Sequence, residues 1–163
     1  MEYGYSKRAL NYILDYFNRV DNKEFDDLIH QAAEICSGIG LSDAIAKFAA
    51  SLFNRKGKRT MYSGDFSSRF RGMYDQNDCA LFFTVSGETR EIIDRIKDLK
   101  KYDIKIIVIT NSASSTAAKM SDLALTYYMP STKNGDFYSS ATQVPVLYII
   151  ESIANLFIEY GIY

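Results

Sequence analysis

Tryptophan is absent from this chain of 163 residues, and proline, cysteine and histidine are nearly so, at two, two and one. Cys36 and Cys79 both lie inside apolar runs and are not spaced as metal ligands. That excludes a disulfide framework and a thiolate metal centre, and reads as two buried reduced thiols in a cytoplasmic protein. No run of about 18 apolar residues and no signal or transit peptide is found, which disfavours the membrane and secretion. Charge of one sign is also missing: 19 Lys and Arg face 20 Asp and Glu, so there is no basic excess of the kind a dedicated nucleic-acid surface carries. The single basic cluster, Arg55-Lys56-Gly57-Lys58-Arg59, falls where a helix is expected to end, and cations there complement the helix dipole.

What is present is the composition of a globular protein, 47% hydrophobic and 24% charged, in a length that fits one domain with a substantial core. Thirteen tyrosines and ten phenylalanines supply core and interface. Two leading amphipathic helices are expected within 1–32. The first runs from Ser6 to Val20, with Ala9, Leu10, Ile13, Leu14 and Phe17 at spacings of three and four. The second starts near Asp21 or Asn22 and carries His30, a lone helical histidine better read as a surface residue than as a catalyst.

From there to Tyr127 short apolar strands alternate with helices: strands at Ala33 to Ser37, Arg59 to Ser63, Cys79 to Val85, Ile104 to Ile109 and Leu123 to Tyr127. Such alternation implies an α/β fold of three layers, a parallel sheet with helices on both faces. Helices follow from Asp43, from Asp65, through Ile92, Ile93, Ile96 and Leu99, and from Ala117 to Met120. A loop from Pro130 to Asp136 precedes a last, strongly apolar helix over 139–160, which holds Pro145 in or near its first turn and expects cover from a second subunit.

The chain turns on Leu81 to Glu91, where a buried strand breaks into Thr84, Ser86, Gly87, Glu88 and Thr89 before a helix. A strand feeding a helix through such a turn gathers backbone N–H groups, hydroxyls and the positive end of a dipole, which suits a phosphate without lysine or arginine. The hydroxyls of Thr84, Ser86 and Thr89 and the amides from Ser86 to Thr89 are the expected donors. Glu88 would repel a phosphate and is expected to face outward. Gly38, Gly40 and Ser42 follow the first strand in a Gly-x-Gly-x-Ser turn. Two such glycines also occur in dinucleotide sites, but Asp43 stands where that fingerprint needs a third glycine, and it would repel a pyrophosphate. Ser139, Ser140 or Thr142, at the start of the last helix, is expected to close the pocket.

Thr84-Val85-Ser86-Gly87-Glu88-Thr89 resembles the Ser-x-Ser-Gly-x-Thr phosphosugar signature of SIS (sugar isomerase) domains, with threonine in place of the first serine. Gly38-Ile39-Gly40-Leu41-Ser42 resembles the first loop of that family. Ile109-Thr110, Ser114 and Asp122 resemble its third recurring feature. The resemblance is closest to the C-terminal effector domain of RpiR-type bacterial transcription regulators, and Ser140-Ala141-Thr142-Gln143 leading to Glu151 extends it to the last helix. Many of those domains carry arginine where this chain has Gln143.

The resemblance implies a flavodoxin-like strand order, 2-1-3-4-5, which puts the two glycine-bearing loops on opposite lips of one crevice. It implies a homodimer or higher oligomer that binds a sugar phosphate or amino-sugar phosphate, with no metal, no cofactor and no membrane contact. DNA would be reached only through a helix-turn-helix domain that these 163 residues lack. An aldose–ketose isomerase is the alternative and needs a base, for which Glu151 and then His30 are the candidates. A domain kept only for dimerisation is the third reading.

Overall fold

The computed structural model describes residues 33–64, 74, 76–127 and 143–159. The expected helices over 6–32 with His30, the helix after Asp65, the loop from Pro130 to Asp136, and Ser139, Ser140 and Thr142 lie outside the described residues.

Each strand leads into a helix and back: β1 (Ala33–Gly38), α1 (Leu41–Arg55), β2 (Thr60–Tyr62), β3 (Asp78–Phe83), α2 (Arg90–Lys100), β4 (Lys105–Thr110), α3 (Thr116–Met120), β5 (Leu123–Thr126) and α4 (Val144–Glu159). The strands form one sheet in the order β2-β1-β3-β4-β5, and every pairing is parallel. The expected architecture and strand order are both present.

Alternation along each strand explains why the sequence is apolar without a period. In β3, Cys79, Leu81 and Phe83 pack with α1 and α4 on one face, while Ala80 and Phe82 pack with α2 and α3 on the other. β4 divides in the same way, with Ile107 and Ile109 on the first face and Ile106 and Val108 on the second. A strand covered on both faces needs an apolar residue at every position, and each fully buried Phe or Ile contributes roughly 1.5–3 kcal/mol. Phe53 of α1 meets Phe157 of α4 edge to face at 5.1 Å between ring centroids, fixing these two helices side by side. Cys36 and Cys79 are both buried in this core. No helix among the described residues is long and apolar enough to cross a membrane.

Element boundaries shift from the expected ones for identifiable reasons. β2 contracts to three residues, and Thr60 at its start bonds the Asn54 side chain of α1 through both its N–H (3.1 Å) and its carbonyl (2.7 Å). β3 ends at Phe83, which releases Thr84 and Val85 into the following loop. Gln143 lies in a bend, and α4 opens after it at Val144. Pro145 then falls in the first turn, where a backbone N–H has no intrahelical partner to lose.

Candidate functional site

Strand order reverses between β1 and β3, and the two loops leaving those strands face each other there. The first lip depends on its two glycines for different reasons. A Cβ on Gly38 would sit 2.2 Å from the carbonyl oxygen of Ser42, so the chain returns on itself with no room for a side chain. Gly40, at φ 64° and ψ −127°, adopts a backbone that side chains disfavour, and it is the residue from which α1 starts.

The second lip is knitted internally. The Thr84 N–H donates to the Ile109 carbonyl at 3.1 Å, prolonging the β3–β4 contact past the strand. The Thr84 hydroxyl accepts from the Gly87 N–H at 3.2 Å, and the Ser86 hydroxyl accepts from the Glu88 N–H at 3.1 Å. These two amides are therefore bonded within the loop, whereas each hydroxyl keeps its own proton to donate. Thr89 is the N-cap of α2, but its side chain makes no capping bond. The first-turn amides of α2 are left as donors at the positive end of the helix.

Gly87 is buried at φ 67°, and a Cβ there would lie 2.1 Å from the Ser115 hydroxyl. That close approach lets the loop rest on the one after β4: the Ala117 N–H donates to the Gly87 carbonyl and the Thr110 hydroxyl donates to the Val85 carbonyl.

Between the lips is a cleft of about 260 Å³, lined by Ile39 to Ser42 on one side, by Phe83 to Ser86 with Thr89 and Ile92 on the other, and by Gln143 ahead of α4. Of the expected site residues, Gly40, Ser42, Thr84, Ser86 and Thr89 converge on it. Gly38 and Gly87 shape the lips and do not line the cleft. Ser139 and Ser140 are outside the described residues, as is His30. Glu151, the first candidate base, is exposed on α4 and is not among the lining residues. Among the described residues, no charged side chain lines the cleft. The chemistry on offer is neutral hydrogen-bond donation to an anion, beside an apolar wall.

Phe83 and Ile92 are core residues, as expected, and also border the cleft. Sequence reasoning missed the rest of that wall, since Ile39, Leu41 and Val85 read only as spacers between motif residues. Gln143, a departure from arginine that bears on ligand identity, lines the cleft.

Glu88 points away from the cleft, as expected, and accepts the Thr116 N–H at 2.8 Å, capping α3. That bond holds its carboxyl below the ordinary value of 4.5. Because the folded value is depressed, the contribution of Glu88 to stability is complete above pH 4.5 and disappears as pH falls through the lowered value. Glu88→Gln is expected to melt below the wild type at neutral pH and to converge with it in acid. Melting temperatures measured against pH check this, and parallel curves would refute it.

Comparison with known proteins adds family and fold. A family model described as the SIS domain matches residues 28–149. An uncharacterised protein of Chlamydia muridarum is 35% identical over 99 residues, 60% of this chain and 30% of its own length. An uncharacterised HTH-type transcriptional regulator of Thermotoga maritima is 29% identical over 133 residues, 78% of this chain and 48% of its own. The chain thus spans less than half the length of these relatives. Among solved structures, an Escherichia coli CFT073 protein in complex with a sugar phosphate superposes with a TM-score of 0.76 at 24% identity, over 96% of this chain and 87% of that one. The sugar isomerase domain of an RpiR transcription factor from Sphaerobacter thermophilus gives 0.74 at 15% identity, over 94% and 87%.

Proposed function

The chain belongs to the SIS domain family, and from that premise we propose that it is the effector-sensing domain of an RpiR-type transcription regulator, holding a sugar phosphate in the cleft between β1 and β3. One observation carries the reading: the Thr84, Ser86 and Thr89 side chains and the uncapped start of α2 meet at a single cleft, with Ser42 on the opposite lip. The phosphate sits at the α2 end, where hydroxyl protons and helix amides converge. The sugar extends toward Ser42, Gln143 and the apolar wall. A cleft of about 260 Å³ lies at the small end of ligand sites and suits one sugar phosphate rather than a dinucleotide.

The superposition on the Escherichia coli protein, which holds a sugar phosphate, supports the ligand class. The Thermotoga HTH-type regulator and the Sphaerobacter RpiR domain support the sensing role. The position of Glu151, exposed and away from the cleft, favours binding over isomerisation. A homodimer formed through the α1 and α4 side, where Leu41, Phe48 and Val144 are exposed, would carry the signal if ligand favours one subunit arrangement.

The test is a thermal-shift screen of sugar phosphates and amino-sugar phosphates, with the free sugars and inorganic phosphate as controls. A ligand at about 100 times its dissociation constant adds roughly 2.7 kcal/mol of stability. Selective stabilisation without turnover of the same compound is the expected result. No shift with any compound would defeat the reading, and turnover would replace the sensor by an isomerase.

A further inference from the structure

Arg95 is the sixth residue of α2, on the turn behind the signature loop, and it reaches outside its own helix. Its Nη1 donates to the Ser37 hydroxyl at 2.9 Å and its Nη2 to the Gly64 carbonyl at 3.0 Å. Ser37 is fully buried and immediately precedes Gly38, the start of the first lip. Gly64 lies just beyond β2, whose Tyr62 hydroxyl donates to the Asp43 carboxylate in the first turn of α1. Asp43 in turn accepts from Lys47 at 3.0 Å, and its backbone N–H donates to the Gly40 carbonyl at 3.1 Å. One guanidinium therefore joins the helix that begins at the second lip to the strand that ends at the first. It also holds the exit of β2, which is bonded to α1 from the other side.

We propose that Arg95 is a positioning residue that fixes the separation of the two lips of the cleft. The planar fork of arginine holds two acceptors at once, which a lysine ammonium cannot do in the same geometry. The corner already carries one unsatisfied group, since the Ser63 hydroxyl next to Gly64 is buried and has no hydrogen-bond partner among the described residues. Losing Arg95 would leave the Ser37 hydroxyl in the same condition, and a lip with buried unpaired groups shifts to find water. Arg95 is not among the residues lining the cleft, so its effect on a ligand is transmitted through the two loops.

The clamp rests on the proposed function only for its consequence on binding, and its geometry can be tested without ligand. Arg95→Lys and Ser37→Ala are compared with the wild type by amide hydrogen exchange, and by affinity for whichever sugar phosphate stabilises the wild type. Exchange is expected to accelerate selectively over 38–43 and 84–88, leaving 116–126 unchanged, in both variants. Affinity should fall about tenfold in each, and the double variant should fall no further than the worse single one. Unchanged exchange at the lips, acceleration spread evenly over all segments, or additive losses in the double variant would each overturn the clamp. A wild type that binds no sugar phosphate defeats the proposed function and leaves exchange to decide the clamp.

Discussion

Replacing Ser86 and Thr89 together by alanine is expected to weaken sugar-phosphate binding by about 3 kcal/mol, on the order of a hundredfold, with the fold intact. Ser86 and Thr89 line the cleft, and neither belongs to the core clusters. The bond that the Ser86 hydroxyl accepts from the Glu88 N–H is at an exposed site where water can replace it. Thr89 makes no capping bond to α2, so its loss removes no helix contact. Hydrogen bonds from neutral donors to a charged phosphate contribute roughly 1.5–3 kcal/mol each, and two of them account for the expected effect. Titration calorimetry measures it, with a melting curve to show that stability is kept. Unchanged affinity would remove the signature loop from the site.

Gly38→Ala is expected to act in the opposite order, striking stability first. The added methyl would meet the Ser42 carbonyl oxygen at 2.2 Å, the Ser42 carbonyl carbon at 2.4 Å and the Asp43 nitrogen at 2.9 Å. All three are backbone atoms, so no side chain can swing aside. The first turn of α1 has to lift from the end of β1, carrying Ser42 with it. Overpacking of this kind costs about 3 kcal/mol, which for a chain of this length lowers the melting temperature by roughly 10 °C. A thermal melt decides it, and a variant melting with the wild type would mean that the return at Gly38 is looser than its geometry indicates. The folded fraction should also bind sugar phosphate more weakly, because Ser42 lines the cleft.

How much of this could be read in advance depends on whether the causes are local. β3 was legible because burial on both faces makes all six of its positions buried ones, and α2 because Ile92, Ile96 and Leu99 repeat at helical spacing. The convergence of Ser42 with Thr84, Ser86 and Thr89 followed once strand order was given. The length of β2 could not be read, since the Asn54 side chain of the preceding helix holds its first residue. The roles of Glu88 and Arg95 were equally hidden. Their partners, Thr116 and Ser37, lie 28 and 58 residues away in the chain, and periodicity carries no trace of such pairings. The apolar side of the cleft escaped because Phe83 and Ile92 fill the core and border the cleft at once, and only the first of these roles shows in a pattern of apolar residues.

If the proposed site is right, the bare start of α2 makes ligand and protein share one structural task. Most helices complete their first turn with a side chain of their own, but Thr89 leaves that bond unmade. In the proposed function, a phosphate seated on those amides would become the cap, so that the helix would be finished by something drawn from solution. Without it the first turn is free to fray, and its amide protons exchange with solvent. Occupancy of the cleft is then legible as order at residues 90–92, a signal that starts at the ligand and ends inside the core where Ile92 and Ile96 are anchored.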